Sequence, residues 1–193
     1  MEGTVKILSK ILTVKISHFW KSIKSFSDIG GGSGFMTIEM CKAHPHLRGV
    51  NADLGDLTGV FDAYMAKEDP ALASRVSFRA LDFFKEPMPS DVDALMFGNV
   101  IHDWPDEIKM QLLTSAFEAL PKGGYLVQYD YFFDEGKREN TSSFLMSIHM
   151  QLMCSGSQFT QEELKKMLNK VGFTDVQFYE LECQMNVCIA KKE

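Results

Sequence analysis

The segment that most constrains this chain is Asp28-Ile29-Gly30-Gly31-Gly32-Ser33-Gly34, set between a short apolar strand pattern and an amphipathic helical one. Glycine lets such a turn take positive φ and lets a ligand approach the backbone closely. The helix that follows points unpaired N–H groups at the same place. A strand that turns through glycine into a helix begins a βαβ unit, and the rest of the sequence repeats that alternation. Strands are expected at Ser25 to Ile29, Arg48 to Ala52, Val76 to Ala80, Ala94 to Phe97, Tyr125 to Tyr129, Val176 to Tyr179 and Asn186 to Ala190. Helices are expected at Phe35 to Ala43, Thr58 to Lys67, Pro105 to Leu120, Ser143 to Cys154 and Gln161 to Val171. This order predicts the α/β class, with right-handed crossovers and a mostly parallel sheet. Ligands of such sheets sit at the C-terminal ends of the strands, near the switch in strand order.

The 193 residues suit about one domain, large enough for a core without disulfides. With 45% hydrophobic and 24% charged residues, collagen-like, low-complexity and polytopic membrane classes are excluded. No stretch approaches about 18 apolar residues. The net charge of −6 argues against a general nucleic-acid binder. Charge is uneven, however: Lys6, Lys10, Lys15, Lys21 and Lys24 face a single acid, Glu2, at the N-terminus. There Ile7, Leu8, Ile11, Leu12, Phe19, Trp20 and Ile23 fall near helical spacing. Residues 1–24 therefore read as an amphipathic basic segment ahead of a domain spanning 25–193. It would dock on that domain, or serve membrane-surface contact or a transit-like role. Cys41, Cys154, Cys183 and Cys188 have neither zinc nor C-x-x-C spacing and read as free thiols of a reducing compartment, hence a cytoplasmic protein. His44, His46 and His149 show no metal spacing and are expected on the surface or on helices; no metal site is expected.

The glycine spacing is G-x-G-x-G (Gly30, Gly32, Gly34), and Phe35 takes the last glycine's place in a nicotinamide-binding G-x-G-x-x-G. A Walker lysine is absent. The closer spacing resembles the S-adenosylmethionine loop of class I methyltransferases, against a plain strand–helix turn without ligand. Asp53 ends the second strand, 19 residues past Gly34, where an acid can hold a ribose diol. Asp82 ends the third and could accept from an adenine amine while Phe83 covers the ring; singly, each is as readily a helix cap or a core aromatic. In Asn99-Val100-Ile101-His102-Asp103-Trp104-Pro105-Asp106-Glu107, helix initiation explains Pro105, Asp106 and Glu107 but not His102 or Trp104. A positioned imidazole fits general-base removal of a hydroxyl proton.

Together these pieces resemble, over residues 26–190, the C-terminal catalytic domain of the plant caffeate and animal hydroxyindole (acetylserotonin) O-methyltransferase family. The matching elements are the glycine run, Ala52-Asp53-Leu54, Leu81-Asp82-Phe83-Phe84, Ile101-His102-Asp103-Trp104-Pro105-Asp106-Glu107, Ala119-Leu120-Pro121-Lys122-Gly123-Gly124, and Gln161-Glu162-Glu163 ahead of Gly172-Phe173. The resemblance implies a Rossmann-like α/β/α three-layer sandwich with a seven-stranded sheet ending in an antiparallel hairpin. It implies S-adenosylmethionine as cofactor, with Gly30, Gly32 and Gly34 as its loop, Asp53 at the ribose, and Asp82 and Phe83 at the adenine. His102 would be the general base, and Asp130 either the acid that orients it or a strand-end turn acid. Met146, Met150 and Met153 would contact an aromatic acceptor, or form an adaptable core face.

The chain departs from the family in places. Asp53-Leu54-Gly55 replaces Asp-Leu-Pro. Gly98-Asn99 stands where a basic residue is common, with Asn99 expected to bond the cofactor through its amide. Gln158 replaces a second histidine-contacting acid near the acceptor, which implies weaker base assistance or more reliance on proximity. Family members carry an N-terminal winged-helix domain that dimerises and closes the acceptor pocket. Only about 25 residues precede the domain here, so the acceptor pocket would be open, completed by a homodimer or partner chain that replaces that domain, or lost through truncation. The expected function is methyl transfer to a hydroxyl of a small, aromatic acceptor. The alternatives are an N-, S- or C-methyltransferase and a truncated, non-catalytic cofactor-binding or scaffold protein. A nicotinamide dehydrogenase and a nucleic-acid methyltransferase are disfavoured by the loop spacing and by the lack of a basic face or base-flipping motif.

Overall fold

The computed structural model describes residues 2–68, 70–133, 135–136, 141–181 and 184–193. Two helices, α1 (Glu2–Lys15) and α2 (Ser17–Ser22), open the chain. There follow β1 (Ser25–Ile29), α3 (Phe35–Ala43), β2 (Arg48–Asp53), α4 (Thr58–Met65), β3 (Val76–Ala80), β4 (Ala94–Gly98), α5 (Asp106–Ala119) and β5 (Tyr125–Asp130). The chain closes through α6 (Thr141–Met153), α7 (Gln161–Val171), β6 (Thr174–Glu180) and β7 (Asn186–Lys191). The strands form one sheet in the order β3-β2-β1-β4-β5-β7-β6. Pairing is parallel from β3 to β5, and β7 inserts antiparallel between β5 and β6. The expected α/β sandwich with its C-terminal hairpin is thus observed. The chain runs outward from β1 to β3 and then returns to β4 on the other side of β1. That reversal opens a crevice above the C-terminal ends of β1 and β4.

Successive residues of a strand face opposite sides of the sheet, and here each side is covered. Phe26, Ala94 and Met96 join Leu8, Leu12, Trp20, Ile38 and Met40 on one side. Ile29, Leu95 and Phe97 meet Leu112, Leu113, Ala116, Leu164 and Leu168 on the other. Central strands buried on both faces favour the nearly continuous apolar run that β4 carries, whereas the equally buried β1 interleaves Ser25, Ser27 and Asp28 with Phe26 and Ile29. A capping box between Thr160 and Glu163 starts α7, and Gly172 at φ +118° ends it.

The N-terminal segment differs from a single helix. It breaks at Ile16, and the Leu12 carbonyl there accepts from both the Ile16 N–H and the Trp20 indole Nε1–H, each at 3.3 Å. Leu8, Leu12, Ile16, Phe19, Trp20 and Ile23 are buried against the domain, whereas Ile7 stays in solvent. Two further expectations need correction. Pro105 caps α5 from outside rather than forming its first residue. His44 is buried, its ring 6.1 Å from that of Trp20, because it ends α3 against the docked N-terminal helices. Cys41 and Cys188 are buried free thiols and Cys154 is a half-buried one, while Cys183 lies outside the described residues. Among the described residues, no helix is long and apolar enough to cross a membrane.

Candidate active site

The strand ends deliver the polar residues to the crevice. Gly30, Gly32 and Gly34 take φ of +70°, +58° and +79°, so the loop from β1 to α3 is left-handed at every second residue. Its fold is held by the neighbouring strand. Gly30 N–H donates to the Ala52 carbonyl at 2.8 Å, Asn51 Nδ2 to the Gly32 carbonyl at 3.0 Å, and Gly32 N–H to Asp53 Oδ2 at 2.7 Å. A Cβ on Gly32 would meet nothing within 4 Å, so the loop presents open space at its tip.

Two adjoining hollows share Gly30 and Asn99. The first, of about 550 Å³, is lined by the glycine loop, Asp28, Phe35, Tyr64, Gly98, Asn99 and Tyr129 among others. The second, of about 370 Å³, is lined by Asp53, Asp82, Phe83, Phe84, Asp103 and Trp104 among others. Asp53, Asp82 and Phe83 are thus brought together in the second hollow. The Lys85 ammonium, 2.7 Å from Asp82, and the Phe84 N–H hold the Asp82 carboxyl below its usual range. Phe84 and Trp104 add an aromatic wall, with ring centroids 4.7 Å apart. The buried Trp104 Nε1 has no partner among the described residues.

Beside these hollows lies a buried pair. His102 stands on a 3-10 turn, Ile101–Asp103, after β4, and Asp130 ends β5. His102 Nδ1 is 2.7 Å from Asp130 Oδ1, and its Nε2 is 3.3 Å from Asp103 Oδ1. Burial by itself pushes the imidazole pKa down. The Asp130 charge and the hydrogen bonds to Asp103 and Asp130 outweigh that and raise it to about 9. Gln158 also lies at the histidine-contacting position expected of it, its Nε2 donating to Asp130 Oδ1 at 2.9 Å and lying 2.8 Å from His102 Nδ1. The 154–160 segment carries it there as a strap across the 3-10 turn. A Cβ on Gly156 would come within 2.1 Å of the His102 carbonyl oxygen. Ser157 Oγ accepts from the fully buried Lys109 Nζ at 3.2 Å, which also binds Asp106 at 2.9 Å.

The three methionines of α6 are not equally covered. Met150 is buried, Met146 is half-buried and Met153 is 71% exposed. Only the buried one reaches toward the turn, through Cys154, whose Sγ is 3.7 Å from Met150 Sδ and 3.9 Å from Asp103 Oδ1.

Sequence reasoning misses Asp28, Tyr129 and Phe84 as site residues. Asp28 is fully buried and faces the first hollow. Burial drives its carboxyl up to about 7, against the Thr37 hydroxyl that lowers it. An acid flanking a glycine run is the available signal for Asp28; for Tyr129 there is none, because its place depends on the neighbouring strand.

The arrangement can hold a ligand with an extended polar tail and a nucleoside-like head, next to a group that exchanges protons. An O-methyltransferase domain family model matches residues 2–174. The chain is 31% identical over 154 residues to 3-hydroxy-5-methyl-1-naphthoate 3-O-methyltransferase of Streptomyces sahachiroi, covering 80% of this chain and 44% of that protein. It is 34% identical over 154 residues to N,N-dimethyltransferase OxyT of Streptomyces rimosus, covering 80% of this chain and 44% of that one. The chain thus spans about half the length of the curated relatives it matches. Human N-acetylserotonin methyltransferase, solved in complex with SAM, superposes with a TM-score of 0.82 at 23% identity, over all of this chain and 56% of that one.

Proposed function

The chain belongs to the O-methyltransferase family whose domain model it matches, and from that premise we propose that it methylates a hydroxyl of a small aromatic acceptor, using S-adenosylmethionine. The observation that carries this reading is the adjacency of the two hollows to the buried His102–Asp130 pair, at the switch point of the sheet. The residues fit the cofactor. The loop tip at Gly32 is open, Asp53 has lone pairs to spare beyond the Gly32 and Leu54 amides, and Trp104 Nε1–H lacks an acceptor among the described residues. Asp53 would hold the ribose hydroxyls, Asp82 and Phe83 the adenine, and Asn99 a polar group between the hollows. The chemistry supplied by bound S-adenosylmethionine is an electrophilic methyl group.

The protein's own task is to orient the acceptor and remove its proton. Asp130 takes the Nδ1–H of His102 and so leaves Nε2 as the nitrogen that faces outward. Asp103 covers Nε2 at 3.3 Å. An acceptor hydroxyl that displaces Asp103 removes one of the two anions holding the ring protonated. The ring pKa then falls, the Nε2 proton is released to solvent, and the free Nε2 would receive the hydroxyl proton, leaving the acceptor oxygen to take the methyl group that bound S-adenosylmethionine would supply as its carbon–sulfur bond breaks. A nitrogen acceptor is the second reading, favoured by the 34% identity to an N,N-dimethyltransferase.

Calorimetric titration with S-adenosylhomocysteine tests the cofactor site. One-to-one binding, weakened about tenfold or more by Asp53→Ala, is expected from the loss of hydrogen bonds to a carboxylate. A folded chain that binds no S-adenosylhomocysteine would overturn the reading. With phenolic acceptors, His102→Ala should lower turnover by about 10²-fold or more, and an unchanged rate would remove His102 from the chemistry.

A further inference from the structure

We propose that Tyr129 recognises the amino-acid end of S-adenosylmethionine, from a recess that Gly98 leaves open; this rests on the cofactor reading above. Gly98 and Tyr129 are direct cross-strand partners of β4 and β5. A Cβ on Gly98 would lie 1.9 Å from Tyr129 Cζ and 2.0 Å from its hydroxyl oxygen. The phenol ring therefore lies over the Gly98 backbone, in space that any other residue would fill. The ring is buried in the core, yet Tyr129 lines the hollow formed by the glycine loop, Asp28 and Asn99. Its hydroxyl makes no hydrogen bond among the described residues. The hydroxyl is not sealed in the core but opens to this hollow, where a ligand can supply the partner. Burial, and after it the charges of Asp28 and Asp130, push the phenol pKa well above its usual value, so the group keeps its proton and can donate it in a hydrogen bond.

The division between the hollows identifies what it meets. The second hollow carries three carboxylates, Asp53, Asp82 and Asp103, and the aromatic rings that suit a nucleoside. The first carries backbone amides, the buried Asp28 carboxyl, the Asn99 amide and the hydroxyls of Ser33, Tyr64 and Tyr129. The amino-acid tail of the cofactor bears a carboxylate and an ammonium on one carbon. Tyr129 donates to the carboxylate and Asp28 faces the ammonium.

The experiment compares two ligands by calorimetry on the 193-residue chain. S-adenosylhomocysteine carries the tail; 5′-methylthioadenosine keeps the adenosine and thioether without it. Tyr129→Phe should weaken S-adenosylhomocysteine about tenfold and leave 5′-methylthioadenosine within about twofold. Equal losses for both ligands, or no loss for the first, would overturn the assignment. Gly98→Ala, whose Cβ expels the ring, should reproduce the tail-selective loss; if that variant does not fold, the isosteric Tyr129→Phe carries the test alone. A wild-type chain that binds neither ligand sinks the cofactor reading itself, whereas one that binds both with the preference unchanged by Tyr129→Phe sinks only this inference.

Discussion

His102 is the residue whose protonation decides the proposed chemistry. Its pKa in the fold is about 9, against 6.5 for a free imidazole, because Asp130 and Asp103 outweigh the effect of burial. A raised pKa means that the folded chain binds this proton more tightly than the unfolded one. The stabilisation is complete below about pH 6.5 and is lost as pH climbs through 9. Asp28, raised to about 7, acts with the same sign in a lower window, since the fold must bury its charge once pH passes the carboxylate range. Stability should therefore fall in two stages, and Asp28→Asn should flatten the lower one while His102→Gln flattens the upper, in chemical unfolding measured from pH 4 to pH 10. The same proton limits the reaction if His102 is the base. The slope of kcat/KM against pH reports the free enzyme, so activity should rise about tenfold per unit below pH 9 and level off above it. Asp130→Asn removes the nearer anion and should move that limb down by one unit or more, with a lower plateau because the imidazole has lost its orienting partner. A limb that stays at 9 in Asp130→Asn would mean that some other group sets it.

At the scale of elements, the 154–160 strap separates what local sequence encodes from what it does not. Strand ends are legible: an apolar run that stops at an acid or a glycine marks its own C-terminus, and this is why Asp53, Asp82, Asn99 and Asp130 can be gathered at one edge of the sheet from the residue pattern alone. Helices with a continuous apolar stripe, such as α5, are legible for the same reason, to within a residue at Pro105. The strap is not. Gln158 and His102 are 56 positions apart, and Lys109 and Ser157 are 48 apart, so no local pattern encodes their contact. The methionine spacing in α6 misleads in the same way: a period of 3.6 finds one face, but the face is buried only where the strap and the 3-10 turn cover it, at Met150. Because Gly156 touches the His102 carbonyl, Gly156→Ala must lift the strap, and a backbone shift of this kind costs about 1–3 kcal/mol. The lift withdraws Gln158 from Asp130 but leaves the glycine loop and Asp53 in place. Turnover should drop about tenfold or more while S-adenosylhomocysteine affinity changes less than about twofold, a split that calorimetry and initial rates on the same preparation would reveal. A parallel loss of both would show that the strap supports the whole crevice.

For the whole molecule, the consequential feature is that the N-terminal helices share one core with the sheet. Helical spacing gives this segment an apolar stripe; what the stripe meets is a tertiary matter, and the answer is α3, the helix that follows the glycine loop. Trp20 is the keystone of that contact. It is fully buried, its ring centroid lies 5.6 Å from that of Phe26 on β1, and its N–H closes the break between α1 and α2. Replacing a buried tryptophan by alanine typically removes about 3–5 kcal/mol, and in a chain of this size each kcal/mol lowers Tm by about 2–4 °C. Trp20→Ala should therefore melt roughly 6–20 °C below the wild type, in a single transition seen alike by far-UV circular dichroism and by near-UV signals from the remaining aromatic residues. Two separated transitions would mean instead that the N-terminal helices fold as an independent unit. The link to the site makes a second reading of the same sample informative. A ligand at about 100 times its Kd stabilises the fold by about 2.7 kcal/mol, an amount comparable with what the substitution removes. S-adenosylhomocysteine should thus restore much of the lost Tm in Trp20→Ala, since the substitution lies on the far side of α3 from the loop. Failure to restore it, with wild-type Tm still rising on addition of the ligand, would show that docking of α1 and α2 holds the glycine loop in its binding shape.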